Sequence, residues 1–281
     1  MPKYVVVTTF NAKGYEQYAQ KFLKTFSEHW PSSVELWVYT ENCNIGEKFH
    51  NLKLLDLHLV SPEIVKFKNQ WKDVPKANGD VSTDPVRSRR RDAGKGFKWD
   101  AVRFSHKVYS IFHCASNSQA DILIWMDADM ICHSPINIEQ INRLIPEDKD
   151  LCYLGREGKY PECGLYSLNL KRNSVQMFLK EFQRMYDQAE SGIFELEEWH
   201  DSFVFEEVRK KFPNLNSLSW SARLNDIRPH RTSSQGEGHP LINTDWGGYL
   251  DHLKGSRKIL GKSNSLDLKV KRTEAYWSNN V

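Results

Sequence analysis

The chain has 281 residues with 39 Lys and Arg against 36 Asp and Glu, a net charge of +3, and it is 40% hydrophobic and 27% charged, so a sizeable core is expected and a general polycation is not. No run approaches the ~20 consecutive apolar residues of a spanning helix. Met1-Pro2-Lys3 leads straight into Tyr4-Val5-Val6-Val7 with no signal-peptide layout, which predicts a cytoplasmic protein without a membrane span.

In chain order, Tyr4 to Thr9 reads as a strand, followed by the turn-prone Asn11-Ala12-Lys13-Gly14 and a helical pattern through Tyr15, Tyr18, Phe22 and Phe26. Val34 to Tyr39 reads as a second strand, and strand, helix, strand at this pitch implies a parallel crossover. A third strand is predicted at Leu52 to Leu59. From Ser61 to Gly96 the pattern dissolves into Pro, Gly, Asn, Lys and Arg, a length unusual for a passive connector. Helical spacing returns over Phe97 to Phe112, with Trp99, Val102, Phe104, Val108 and Ile111 as the buried side. Ile122 to Met126 is a continuous apolar run suited to a central parallel strand. Asp150 to Leu154 and Gly164 to Leu170 follow as strands, Val175 to Glu190 and Asp201 to Phe212 as helices, and Leu224 to Trp246 as loop. Five widely spaced cysteines without a CxxC pair indicate neither a disulfide framework nor a zinc site. With no repeat and no linker, one α/β domain over residues 1–281 is the simplest account, with a long basic loop at about 61–98 and a loop-rich part from about 224.

Chemistry enters at Ile122-Leu123-Ile124-Trp125-Met126-Asp127-Ala128-Asp129. Ionised carboxylates at the end of a buried strand are costly unless something pairs with them. Strand alternation would put Asp127 and Asp129 on one side, with Ala128 small enough to admit a ligand to the backbone, at the strand end where open α/β sheets bind ligands. Two adjacent carboxylates are kept ionised most cheaply by a hard divalent cation, and a diphosphate could fill its remaining positions. The spacing does not fit an EF-hand, since Cys132-His133 stands where a third acid belongs.

Six segments in order resemble the glycogenin-like family of retaining glycosyltransferases: Val7-Thr8-Thr9-Phe10-Asn11, Phe104 to Tyr109, Trp125 to Asp129, Glu162-Cys163-Gly164, His200-Asp201-Ser202, and His252-Leu253-Lys254-Gly255-Ser256-Arg257-Lys258. The resemblance implies a GT-A fold, a Rossmann-like, mainly parallel sheet flanked by helices. It also implies transfer of a sugar from a nucleoside diphosphate donor, a UDP-sugar, to a hydroxyl acceptor with retention, dependent on Mn2+ or Mg2+. By the same resemblance Asp127, Asp129 and His252 hold the metal, and Gly255 and Lys258 contact the diphosphate. Thr8, Thr9, Asn11 and Tyr15 hold base and ribose, and Arg103 and Lys107 face the phosphates or sugar. Asp201 lies near the reacting carbon and Glu162 contacts sugar hydroxyls. Read without the family, Asp201 caps a helix, Glu162 sits in a polar turn, His252 is a solvated loop histidine, and Arg103 and Lys107 belong to a solvated helix face. Where the family continues with Pro-Trp after its lysine, this chain has Ile259-Leu260, a departure that bears on the sugar rather than the reaction.

Arg87, Arg89, Arg90, Arg91, Lys95 and Lys98 crowd twelve positions, as a lid over a diphosphate or a contact for a polyanionic acceptor such as DNA with modified bases. Trp71, Phe97 and Trp99 nearby could stack on sugars or bases. A nucleotidyltransferase and a non-catalytic sugar-nucleotide-binding module are the competing classes. The first would need a Gly-rich phosphate loop after its first strand, which Thr8-Thr9-Phe10-Asn11 is not.

Overall fold

The computed structural model describes residues 1–224, 239–255 and 257–278. Among them the strands are β1 Tyr4–Asn11, β2 Glu35–Glu41, β3 Leu52–Asp56, β4 Ile122–Met126, β5 Met130–Cys132, β6 Leu151–Arg156, β7 Lys159–Asn169, β8 Ser217–Ser219 and β9 Leu250–His252. The longer helices are α1 Gln20–His29, α2 Pro62–Trp71, α3 Ala101–Asn117, α4 Ile138–Leu144, α5 Asn173–Asp187 and α6 Asp201–Lys210. Seven strands form one sheet in the order β3-β2-β1-β4-β7-β6-β8. β7 runs antiparallel to β4 and β6, whereas every other pairing is parallel. The result is the mainly parallel, mixed α/β sheet flanked by helices that the sequence predicts.

Side-chain alternation divides the core between the two faces of this sheet. Val5 and Val7 of β1 and Leu123 and Trp125 of β4 pack on one face with Phe67 of α2, Val108 of α3, Phe182 of α5 and Phe205 of α6. Val6, Ile122, Ile124 and Met126 pack on the other with Phe22 and Phe26 of α1 and Ile141 of α4. All five residues of β4 are buried, which is why its sequence is a continuous apolar run rather than an alternating one.

Several elements depart from the sequence reading. β3 stops at Asp56, whose side chain accepts from the His58 and Leu59 amides and starts a short helix, Leu57–Val60, inside the expected third strand. Ser61-Pro62 then opens α2, with proline at the first helical position, so the segment from Ser61 is not patternless. Ile64, Phe67 and Trp71 of α2 are buried, and so is Trp99 in the 3-10 turn Gly96–Trp99, which removes both tryptophans as stacking surfaces. Phe104 is only half-buried, while the other expected contacts of α3 are buried. The first helix begins through Ala12–Gly14 and a π-turn, Tyr15–Ala19, before α1. Pro240–Asn243 is helical within the expected loop, and the expected loop residues 225–238 lie outside the described residues. All five cysteines are free, four of them buried. No described helix is long and apolar enough to cross a membrane.

β5 and β9 form a separate two-stranded ribbon beyond the carboxyl end of β4, with Met130 opposite His252 and Cys132 opposite Leu250. The ribbon ties the residues after Asp129 to a segment near the other end of the chain.

Candidate functional site

The two aspartates are brought together by a turn, not by strand alternation as the sequence reading supposed. β4 ends at Met126; the Asp127 amide then donates to the Gly164 carbonyl at 2.9 Å and the Met130 amide to the Asp127 carbonyl at 3.1 Å. Chain reversal through Ala128-Asp129 turns both carboxylates toward His252. Asp129 Oδ1 lies 3.0 Å and Asp127 Oδ2 3.7 Å from His252 Nε2. Leu253 donates its amide to the Asp129 carbonyl at 2.9 Å, extending the β5–β9 tie. Ala128, between the two aspartates, packs into the core at 5% exposure.

Two lysines converge on this turn from different elements. Lys258 Nζ is 3.0 Å from Asp129 Oδ2 and 4.4 Å from the centroid of the Tyr18 ring. Gly255, at φ +64°, adopts the left-handed conformation glycine favours, and its carbonyl accepts from the Lys258 amide at 3.2 Å, so its visible work is to turn the chain into the helix Arg257–Leu260. Lys107 reaches from α3 to within 3.2 Å of Asp127 Oδ1 and 2.7 Å of Asp201 Oδ2, and also donates to the Cys163 carbonyl. Its side chain is buried, not part of a solvated helix face. Trp125 completes the first aspartate, its indole N–H donating to Asp127 Oδ1 at 2.7 Å.

Asp201 is the first residue of α6, but the N-cap position belongs to His200, so the helix-capping reading does not describe it. Its carboxylate is instead spent on Lys107, with His200 Nδ1 3.9 Å from the other oxygen. Glu162 lies in β7, 2% exposed, neither in a polar turn nor open to a sugar. Its Oε1 accepts from Lys254 Nζ at 3.1 Å and its Oε2 stands 3.6 Å from His252 Nδ1. Two residues on, a Cβ at Gly164 would fall 2.5 Å from His252 Cε1 and 2.8 Å from Nδ1, so only glycine leaves room for the imidazole. His252 itself is 1% exposed rather than a solvated loop residue.

Charge and burial set the protonation of this cluster. Burial by itself would lower the His252 pKa, but the Asp129 and Glu162 carboxylates reverse this and push it up to about 10. Burial likewise works against ionised Asp129 and Asp201; His252 and Lys258 nevertheless hold the first below the usual carboxylate range, and Lys107 and His200 the second. Asp127 moves the other way, raised by burial against the pull of Lys107, with Asp129 adding to the rise. Burial disfavours charged Lys107, yet Asp127 and Asp201 carry its pKa well above the ordinary value.

The remaining expected ligand residues gather at the end of β1, mostly engaged with their own neighbours. The Thr9 hydroxyl donates to the Tyr39 carbonyl at 2.7 Å, Asn11 Oδ1 caps Gly14 at 2.9 Å, and the Tyr15 hydroxyl donates to Glu47 at 2.6 Å. Thr8 is fully buried with its hydroxyl unmatched among the described residues. Arg103, one helical turn before Lys107, is exposed.

Half of the basic segment is paired within the fold. Arg87 pairs with Asp84 at 2.9 Å, Arg90 with Asp92 at 2.9 Å and Glu197 at 2.5 Å, and Lys98 with Asp92 at 2.7 Å and also with Glu198. These pairs strap the segment onto the residues just before Asp201, leaving Arg89, Arg91 and Lys95 exposed. Two open hollows, of about 520 Å³ beside Lys21, Lys24 and Phe49 and about 490 Å³ beside Thr40, Asn42 and Asp56, are lined by none of the acidic cluster. Sequence reasoning passed over His239, Trp125, Gly164 and Lys254. His239 carried no signal among ten histidines, whereas Gly164 stood inside a quoted motif.

No protein-family model and no curated protein matches the chain. Among solved structures it is similar to the glycosyltransferase GlyE of Streptococcus pneumoniae TIGR4, in one structure and in its apo form, each with a TM-score of 0.41 and 11% identity. The matches cover 81% and 78% of this chain but 47% and 46% of those chains, so it spans about half the length of the proteins it resembles.

Proposed function

We propose that the chain is a metal-dependent glycosyltransferase that moves a sugar from a nucleoside diphosphate donor, a UDP-sugar, to a hydroxyl acceptor with retention. One observation carries this reading. Two carboxylates at the carboxyl end of a central strand meet an imidazole and an ammonium group whose residues lie more than a hundred positions away, with Asp129 facing both His252 and Lys258 at 3.0 Å.

The donor set suits a divalent cation. Oxygen atoms of Asp127 and Asp129 and a nitrogen of His252 lie within 4.8 Å of one another, and carboxylate with imidazole fits Mn2+ or Mg2+. Such an ion, when bound, supplies Lewis-acid stabilisation to the departing diphosphate. The chain's own groups do the rest. Lys258, 30% exposed, is free to exchange Asp129 for a phosphate oxygen and to offset the charge that develops there. Lys107 fixes Asp201 as an ionised carboxylate beside Asp127, negative charge suited to an electron-poor sugar carbon. Arg103, exposed one turn away on α3, meets the outer phosphate or the sugar. Glu162 and Gly164 act from behind, through His252. A saccharide is the acceptor class this reading takes; Arg87, Arg90 and Lys98 are already paired, while Arg89, Arg91 and Lys95 stay exposed and keep a polyanion such as DNA as the second reading.

Incubation with a panel of nucleotide sugars and Mn2+ should release nucleoside diphosphate, and EDTA should stop it. Asp129→Asn should lower release at least 100-fold, since it removes a ligand and the partner of Lys258 together. Release at the wild-type rate in that variant would refute the assignment. Pyrophosphate release from nucleoside triphosphates would point to nucleotidyl transfer, and binding without turnover to a non-catalytic module.

A further inference from the structure

Behind His252, on the side away from the aspartates, three buried residues face one another with polar atoms unmatched. Glu162 Oε2, His252 Nδ1 and both ring nitrogens of His239 have no hydrogen-bond partner among the described residues. These side chains are 2%, 1% and 1% exposed in the order Glu162, His252 and His239. An unmatched buried polar atom is costly, and several gathered at one point call for an ion or a water to satisfy them. Their donor atoms lie within 4.8 Å of one another. The pair closest together, Glu162 Oε2 and His252 Nδ1, is 3.6 Å apart, near the roughly 3.4 Å that separates donors around a tetrahedral ion with bonds of about 2.0–2.2 Å. The His239 ring stands edge-on to that of His252 with centroids 5.0 Å apart. Gly164 keeps the space clear, because a Cβ there would also come within 3.0 Å of Glu162 Oε2.

We infer that Glu162, His239 and His252 form a second, buried site for one transition-metal ion of the zinc class, distinct from the Asp127 and Asp129 pair. Two imidazoles and a carboxylate are donors that zinc accepts readily and magnesium does not. Each residue comes from a different element: Glu162 from β7, His252 from β9, and His239 from the N-cap of the helix Pro240–Asn243. Lys254 engages only the other oxygen of Glu162. A neutral imidazole has one lone pair, so a ring that binds the buried ion through Nδ1 carries its proton on Nε2 and donates it to Asp129 Oδ1, 3.0 Å away. Filling the rear site thus turns His252 from a ligand of the aspartate pair into a hydrogen-bond donor to it.

The test is metal content. The full chain is loaded with zinc, dialysed against metal-free buffer and assayed by mass spectrometry, and a Co2+-substituted sample is read by visible absorption. The wild type should retain about one zinc per chain and show the intense ligand-field bands of tetrahedral Co2+. His239→Ala and Glu162→Gln should each lower zinc affinity at least 10-fold with far-UV circular dichroism unchanged, while Asp127→Asn should keep the ion. A wild type that retains no zinc overturns the inference without any variant. Zinc lost in Asp127→Asn but kept in His239→Ala also overturns it, by placing the ion on the aspartates. Absence of sugar transfer would leave this stoichiometry untouched, and absence of zinc would leave Mn2+-dependent transfer untouched, so the two readings fail separately.

Discussion

Gly164→Ala tests how tightly the imidazole is seated. The new methyl would lie 2.5 Å from His252 Cε1 and 2.8 Å from Nδ1, against ordinary carbon contacts of about 3.5–4.0 Å, so the ring must retreat by roughly 1 Å. Little room exists for that retreat. Asp129 holds the far nitrogen at 3.0 Å, Glu162 stands 3.6 Å from the near one, and His239 covers the ring edge-on. Overpacking of this kind costs about 1–3 kcal/mol, which for a chain of this size lowers Tm by roughly 2–12 °C. Metal ligands tolerate displacements of only about 0.2 Å, so Mn2+ affinity should fall at least 10-fold, in line with changes that misorient a ligand from behind. Titration calorimetry with Mn2+ and a thermal melt of the metal-free protein read the two effects independently. A Tm within about 1 °C of wild type and an unchanged Mn2+ Kd would show that the ring is not confined as described.

Lys107→Met should remove a cation in contact with both Asp127 and Asp201, at a cost of about 3–5 kcal/mol by urea denaturation near neutral pH. Because Asp201 is held below its ordinary pKa of 3.8, its contribution in the wild type is present above that value and lost as pH falls through the folded-state value. Without Lys107 that acid-side loss should vanish, so the deficit should narrow as pH falls below 3.8; a deficit that stays constant down to about pH 2.5 would sink the assignment. The His252 shift runs the opposite way. Its stabilisation is complete below 6.5 and is lost as pH rises toward about 10, so metal-free stability should decline across that window by up to about 1.4 kcal/mol per pH unit. Mn2+ affinity should climb over the same range as the ring sheds its proton, and urea midpoints that stay flat from pH 6.5 to 10 would contradict the pairing.

Much of the sheet was readable because burial on two faces leaves an unmistakable apolar run, as in Ile122 to Met126. The helix Pro62–Trp71 was missed because its three buried residues stand among lysines and other polar residues, although Ser61-Pro62 marked its start. α4 could have been found from the capping box of Asn137 and Gln140. β5 and β9 could not, since three residues carry no period. At the site, Asp127, Asp129, His252 and Lys258 were legible as motifs, and the structure brings the four together. The roles expected of Thr9, Asn11 and Tyr15 were taken from position in a pattern, which does not reveal that each already engages a neighbour. The pairing of the basic segment was hidden for a related reason: composition counts Arg90 and Lys98 but does not show that Glu197 and Glu198, a hundred positions on, pair with them.

The ribbon of β5 and β9 has a consequence for biosynthesis. Asp129 and His252 are 123 positions apart, joined through three residue pairs. At roughly 5–20 residues per second the carboxylates would leave the ribosome on the order of ten seconds before their imidazole. Until then the nascent chain owns most of its sheet but not the imidazole of the proposed cation site, so on that reading cation capture waits for synthesis of His252.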